Sequence, residues 1–486
     1  MASAADTTEA QTALAPLASA LPPVERRAAM PAGFAAGATT AGIKPSGRPD
    51  LGLIRTLDGA AAAAAIFTTN ALPAAPVLVS RTNLAASMLA EAKGMAQAAG
   101  EAIGRAADPA TDPLGGRYGW AEAIVATSGS ANAATGQVGL TDQLAIAQAV
   151  AVALGTDPLR VLCLSTGVIG TRLPVDRVRD AIPRLARGVA TAPEQLEAAA
   201  VALRTTDQTT KVATTTVTLP AADGQPREVT VSGIAKGVGM IHPRMATMLA
   251  VVLTDAAAAP ATLAALLRPA AARTWNQLSV DGDTSTNDTV FVLASGTSGA
   301  APAVPGSAAA VTLGLAIEAV ARDLARQQAA DGEGATTLVT CQVSGAADDA
   351  DARAIARAVI ASSLVKTAVH GRDPNWGRIA AAAANARLPE VALLELAGVD
   401  HATACLRAGT AAHVDPEALR IAVAGTTVYD GPAGGPVPFD RPALSDAMRA
   451  DEVVLRLDLG LGGGTGEAFG CDLSEEYVVE NAEYTT

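Results

Sequence analysis

Lys236-Gly237-Val238-Gly239-Met240-Ile241-His242-Pro243-Arg244-Met245-Ala246-Thr247-Met248-Leu249 is a glycine-loosened, proline-bent segment that delivers one threonine to the start of an apolar run. Gly237 and Gly239 permit backbone angles closed to other residues, and Pro243 restricts its neighbours. Taken alone, the string reads as a tight turn between strands, and the same features suit a strained peptide bond. An internal threonine hydroxyl is a poor nucleophile without a base. Breaking the Ala246–Thr247 bond would give Thr247 an α-amino group, which titrates near ~8 in model peptides, beside its own hydroxyl.

Outward from this segment, strand and helix patterns alternate. Residues 211–218 and 229–231 pair as a hairpin around Ala222-Asp223-Gly224, and residues 248–254 read as a buried strand. Residues 66–69 and 75–79 fit short strands, and residues 84–99 fit a helix. Residues 123–126 read as a strand running into the polar turn Thr127-Ser128-Gly129-Ser130-Ala131-Asn132-Ala133, followed by a helix over 144–154. Residues 161–165 are a strand ending in Thr166-Gly167-Val168-Ile169-Gly170, a loop that exposes backbone N–H groups. Helices are expected over 256–267, 313–328 and 349–361, and extended chain over 391–399 and 453–459. The pattern is that of a compact α/β protein.

Half of the 486 residues are apolar but only 2% are aromatic, so alanine, valine and leucine must form the core. The formal charge of −13 and the lack of a basic block oppose a nucleic-acid surface. Cys163, Cys341, Cys405 and Cys471 form no CxxC pair and read as buried thiols in a reducing compartment. The four histidines are scattered without an HExxH, so no metal or cofactor is expected. Residues 1–29 read as a variable or disordered extension without the features of a signal peptide. No run approaches the ~20 apolar residues of a membrane helix. A soluble, cytoplasmic protein is expected.

Several short strings admit two readings. Thr166-Gly167 would supply a hydroxyl and an N–H to a developing oxyanion, or would simply end a strand. Asp331-Gly332-Glu333-Gly334-Ala335-Thr336 sets a carboxylate between two glycines, open to a cationic ligand, and equally resembles a glycine helix cap. Ser279-Val280-Asp281-Gly282-Asp283-Thr284-Ser285-Thr286-Asn287-Asp288 is rich in oxygen but does not meet the calcium-loop pattern, and reads as a hydrogen-bonded turn. Gly460-Leu461-Gly462-Gly463-Gly464-Thr465-Gly466 lacks the lysine of a phosphate loop and reads as a turn. Gln97-Ala98-Ala99-Gly100-Glu101-Ala102 matches a short CoA-loop pattern at close to chance level.

Together these strings resemble the ornithine acetyltransferase (glutamate N-acetyltransferase) family from about residue 31 to the end of the chain. The landmarks are GMIHP and MATML within 239–249, SVDGDTSTND at 279–288, DGEGAT at 331–336, LVKTA at 364–368, DPNWGRI at 373–379 and NAEYTT at 481–486. The resemblance implies a layered αββα sandwich with a smaller C-terminal α/β domain from about residue 345. It implies self-cleavage between Ala246 and Thr247 into an α chain (30–246) and a β chain (247–486), which stay associated as an α2β2 heterotetramer. Thr247 would then carry acetyl from N2-acetyl-L-ornithine to L-glutamate in a ping-pong cycle of arginine biosynthesis, with acetyl-CoA as a conceivable second donor. The implied oxyanion hole is Thr166 and Gly167. Thr205 or Thr206, Lys236, Thr247, Glu333, Asn481 and Thr486 would contact substrate.

The sequence departs from the family pattern at Arg244, at Gln208 within the TTDT string, and at Thr127 and Ser130, where the NSGNANA turn has asparagines. These departures leave open a paralogue with a different acceptor, or a self-processed amidohydrolase or aminopeptidase using water.

Overall fold

The computed structural model describes Leu14, Leu17 and residues 20–99, 117–242 and 248–482. These divide into a larger unit, residues 20–333 with the chain from Val479, and a smaller unit from Gly334 to Val478.

The larger unit carries strands β1 (Phe34–Thr39), β2 (Leu51–Thr56), β3 (Ala61–Phe67), β4 (Arg117–Ala121), β5 (Ala123–Ser130), β6 (Val161–Val168), β7 (Lys211–Pro220), β8 (Pro226–Lys236), β9 (Leu249–Thr254), β10 (Leu278–Ser279) and β11 (Thr289–Ala294). Its helices are α1 (Ala75–Ala99), α2 (Gly136–Leu154), α3 (Val175–Gly188), α4 (Pro193–Leu203), α5 (Pro260–Arg273) and α6 (Ala308–Ala330). One sheet has the order β1-β2-β5-β6 and the other β4-β3-β11-β9-β8-β7. Phe34, Ile54, Ile124 and Leu162 of the first sheet pack in one core with Phe67, Ile234, Val251 and Phe291 of the second. Alternate residues of the first sheet, Leu53, Val125 and Cys163, face Ile146 and Val150 of α2 and Val178 and Ile182 of α3. On the outer face of the second sheet, Gly233 of β8 lies against Val320 and Leu324 of α6. The result is the αββα sandwich. Strands covered on both faces read as unbroken apolar runs, which is why β3 can be Ala61 through Ala65 followed by Ile66 and Phe67.

The smaller unit contains β12 (Leu338–Ala346), β13 (Arg420–Val423), β14 (Thr426–Asp430), β15 (Gly435–Pro436), β16 (Glu452–Asp458) and β17 (Gly464–Cys471), ordered β17-β12-β16-β13-β14-β15. Helices α7 (Asp349–Ala361), α8 (Ser363–His370), α9 (Trp376–Ala384), α10 (Val391–Leu396), α11 (His401–Arg407) and α12 (Arg441–Ala447) accompany them. α13 (Glu475–Ala482) closes the described chain. Asp348 starts α7 by accepting the N–H groups of Ala350 and Asp351, each at 3.0 Å. The unit begins at Gly334, ahead of the boundary expected near residue 345, because β12 belongs to its sheet.

Several expectations are corrected. Residues 75–79 start α1 and are not a strand; Pro76 lies in the first helical turn, where its missing N–H leaves no helix bond unmade. Residues 391–396 are helical, because Leu, Ala and Glu favour helix and the run does not alternate. The polar turn expected from Thr127 starts later, since β5 runs on to Ser130. Residues 20–29 are part of the fold: Glu25 and Thr214 exchange backbone bonds of 2.8 and 2.9 Å, and Thr215 Oγ1 donates to the Pro23 carbonyl at 2.7 Å. Cys405 is exposed, whereas Cys163, Cys341 and Cys471 are buried. α2 is long and apolar enough in composition to cross a bilayer, yet its apolar face lies in the core described above and its Asp142 pairs with Arg172 at 2.6 Å.

Candidate active site

β8 and β9 are antiparallel neighbours, with Lys236 opposite Leu249 and Val231 opposite Thr254. The chain between residues 236 and 249 therefore leaves and returns to one place in the sheet. A break within it leaves the flanking strands β8 and β9 paired. Ala246, Thr247 and Arg244 lie outside the described residues, as do Thr486 and the second half of the CoA-like string, residues 100–102.

The start of this excursion is held by the oxygen-rich string. Asp281 accepts the N–H groups of Met240 and Ile241, the latter at 2.8 Å, while Met240 adopts φ +52°. Val280 N donates to the Ile241 carbonyl at 2.7 Å, and Thr284 Oγ1 to the His242 carbonyl at 3.1 Å. Asp281 and its neighbours thus hold a backbone loop by hydrogen bonds, the turn expected from the sequence.

At the end of β8 lies a cavity of about 320 Å³, a size suited to a small metabolite. Its lining includes Thr166, Gly167, Thr205, Thr206, Lys236, Glu333 and Asn481, so every described residue of the sequence-derived set comes together there. The parallel pair β5 and β6 brings Thr166 and Gly167 to the rim. Gly167 has φ +127°, and a Cβ on it would lie 2.4 Å from the Gly129 carbonyl carbon. Only glycine fits this approach of two backbones. Thr166 Oγ1 accepts from Lys236 Nζ at 3.1 Å and retains its own proton to donate.

Glu333 accepts Thr206 Oγ1 at 2.9 Å on one oxygen and Asn481 Nδ2 at 3.0 Å on the other, and its N–H donates to the Val238 carbonyl at 2.8 Å. Gly239 admits the carboxylate, since a Cβ there would lie 2.1 Å from Glu333 Oε2. The two glycines separate stability from binding. Gly167→Ala is expected to lower stability by about 2–4 kcal/mol, since backbone must move at a left-handed position. Gly239→Ala displaces only a side-chain end, and is expected to leave the melting temperature near wild type while raising KM roughly tenfold. Thermal scans and steady-state kinetics on both proteins check this.

Beneath the pocket lies a charge network that the sequence did not single out. Asp207 and Lys211 have fully buried side chains and pair at 2.8 Å, and Lys211 also meets Asp331 at 2.5 Å. Asp207 accepts the N–H groups of Thr205 at 3.1 Å and Gly237 at 2.8 Å, and stands 3.9 Å from Lys236. Burial alone would push its carboxyl up; the Lys236 and Lys211 charges and the Gly237 N–H outweigh it and hold the group well below the usual carboxylate range. Asp207 thereby fixes the Thr205-Thr206 loop and the start of the excursion together. The position of Asp207 directly after Thr205-Thr206 was the available signal. Asp331 takes the N–H groups of Gln208 and Thr209, at 3.1 and 3.2 Å, so position 208 contributes backbone and tolerates its departure. Thr127 and Ser130 also act structurally: Ser130 Oγ donates to the Thr171 carbonyl at 2.8 Å, and Thr127 is buried in the β5–β6 pair.

The αββα sandwich thus carries a cavity that brings together a cation, Lys236, a carboxylate, Glu333, and the strand end Thr166-Gly167. A sequence model of the ArgJ family matches residues 35–486, and the chain belongs to that family. The protein from Thermosynechococcus vestitus named "Arginine biosynthesis bifunctional protein ArgJ" is 42% identical over 457 residues, covering 93% of this chain and 96% of the relative. The Thermus thermophilus protein of the same name is 41% identical, with 94% and 99% covered. An ornithine acetyltransferase from Mycobacterium tuberculosis, solved with ornithine, is 32% identical over 46% of this chain and 99% of its own, with a TM-score of 0.34.

Proposed function

We propose that this protein is a self-processed acetyltransferase of arginine biosynthesis, in which Thr247 takes acetyl from N2-acetyl-L-ornithine and passes it to L-glutamate. Family membership supports the activity. The observation that carries the site assignment is the convergence of Thr166, Gly167, Lys236, Glu333 and Asn481 on one cavity beside the two anchored ends of the 237–248 connection.

In this reading, cleavage of Ala246–Thr247 yields chains 1–246 and 247–486, which the pairing of β8 with β9 keeps together. The new α-amine of Thr247 accepts the hydroxyl proton as Oγ attacks the acetyl carbonyl. The oxyanion that forms accepts from the Gly167 N–H and the Thr166 hydroxyl, and one such donor contributes about 3 kcal/mol in the transition state. The C–N bond breaks, the proton passes to the departing ornithine amine, and an acetyl ester remains on Thr247. The glutamate amine then attacks the ester and restores the hydroxyl. Lys236 suits the substrate α-carboxylate, Glu333 the side-chain ammonium and Asn481 an amide or carboxylate oxygen. In the same reading Thr486 is a further substrate contact.

An α2β2 assembly, a cytoplasmic location and acetyl-CoA as a second donor belong to the same reading, and the relatives' names describe a bifunctional protein. A relative from Ricinus communis is named as chloroplastic, so location varies within the family. Incubation with N2-acetyl-L-ornithine and L-glutamate is expected to give N-acetylglutamate and ornithine in equal amounts. Free acetate without N-acetylglutamate at saturating glutamate would assign the protein to the hydrolases instead. Glu333→Ala is expected to raise KM for N2-acetyl-L-ornithine roughly tenfold or more while chain cleavage, followed by denaturing electrophoresis, proceeds.

A further inference from the structure

The cavity has a second buried carboxyl group, in a state opposite to that of Asp207. Asp288 is 2% exposed, lines the cavity, and has an Oδ2 without a hydrogen-bond partner. Its backbone is fixed: Thr68 N donates to the Asp288 carbonyl at 2.9 Å, and the next residue, Thr289, donates to the Met248 carbonyl at 2.9 Å. The preceding Asn287 is held by the carbonyls of Ala131 at 2.6 Å and Ser165 at 2.9 Å. The carboxyl therefore sits where the strands place it, beside the return of the 237–248 connection.

Burial pushes the Asp288 carboxyl well above the usual range, against hydrogen bonds from Ser285 and the charge of Lys236. Asp207 is shifted down and Asp288 up, although both feel the same lysine. Two carboxyls driven apart in this way carry different tasks. A buried polar atom left unpaired calls for a functional explanation, and a ligand in the cavity supplies one.

We infer that Asp288 is a further ligand-binding residue of this pocket, donating a hydrogen bond from its carboxyl group to an oxygen of the bound amino-acid substrate. A carboxyl group shifted upward by burial has an O–H to give, which an ionised carboxylate lacks. The inference rests on the acetyltransferase reading for the identity of that substrate.

The test compares Asp288→Ala and Asp288→Asn in the full chain. Cleavage is followed by denaturing electrophoresis, KM and kcat by N-acetylglutamate formation from N2-acetyl-L-ornithine, and L-ornithine binding by calorimetry. Alanine is expected to raise KM and the L-ornithine Kd roughly tenfold with little change in kcat. Asparagine, which returns an N–H donor to the same place, is expected to recover most of that loss. Equal losses in both variants would mean that the ionised carboxylate is used, and wild-type KM and Kd in the alanine variant would mean no contact; either result overturns the proposal. Should Asp288→Ala fail to fold, Asp288→Ser takes its place under the same criteria. Wild-type protein that binds L-ornithine but forms no N-acetylglutamate removes the transferase reading, and the Kd comparison still decides Asp288.

Discussion

Thr247→Ala is expected to leave the chain uncut and to lower acetyl transfer by at least about three orders of magnitude. The two losses have one origin. The alanine side chain has no oxygen to attack the preceding carbonyl, so no α-amine is released, and none is present to carry acetyl afterwards. Supplying the two halves as separately expressed chains separates these roles. A 247–486 chain beginning at Thr247 should regain transfer with its 1–246 partner, and one beginning with alanine should not.

The next largest effect is expected from Asp207→Ala, a loss of about 3–5 kcal/mol at neutral pH, because it leaves a fully buried Lys211 short of one of its two carboxylates. The same change frees the N–H groups of Thr205 and Gly237 and removes a carboxylate 3.9 Å from Lys236. The pH dependence has a definite sign. The folded Asp207 carboxyl is held below its unfolded value of about 3.9, so its contribution is present above that pH and is lost as pH falls toward the depressed folded value. Denaturant midpoints for wild type and variant should differ most at pH 7 and converge below about pH 4. A gap that stays constant into acid would place the stabilisation elsewhere.

The parts of the fold that were legible in the sequence are those whose causes are local. The β7–β8 hairpin is set by Ala222-Asp223-Gly224 between two β-rich runs, and α7 by an aspartate cap ahead of a helical apolar period. Short apolar runs were ambiguous. Residues 75–79 and 391–396 have no period that distinguishes helix from strand, and helix length and packing decided both. The strap formed by residues 20–29 was hidden because its bonds reach β7, β8 and α6, all roughly two hundred residues or more away. At the site, the glycines and single polar residues stood out within recognisable strings. The charge network did not, because Lys211 sits in what reads as an ordinary strand and finds Asp331 only through the fold. Asp288 was read as part of a structural turn; its neighbours in that string, Asp281 and Asn287, do serve structure, and only the burial of its own unpaired oxygen separates it from them.

The most direct measurement is N-terminal sequencing and intact mass of the purified protein after incubation with N2-acetyl-L-ornithine alone. Two chains are expected, the second beginning Thr247-Met248-Leu249 and heavier by one acetyl group. That mass should be lost on addition of L-glutamate as N-acetylglutamate forms. A single full-length chain after prolonged incubation, or an acetyl group carried on any residue other than Thr247, would contradict the account.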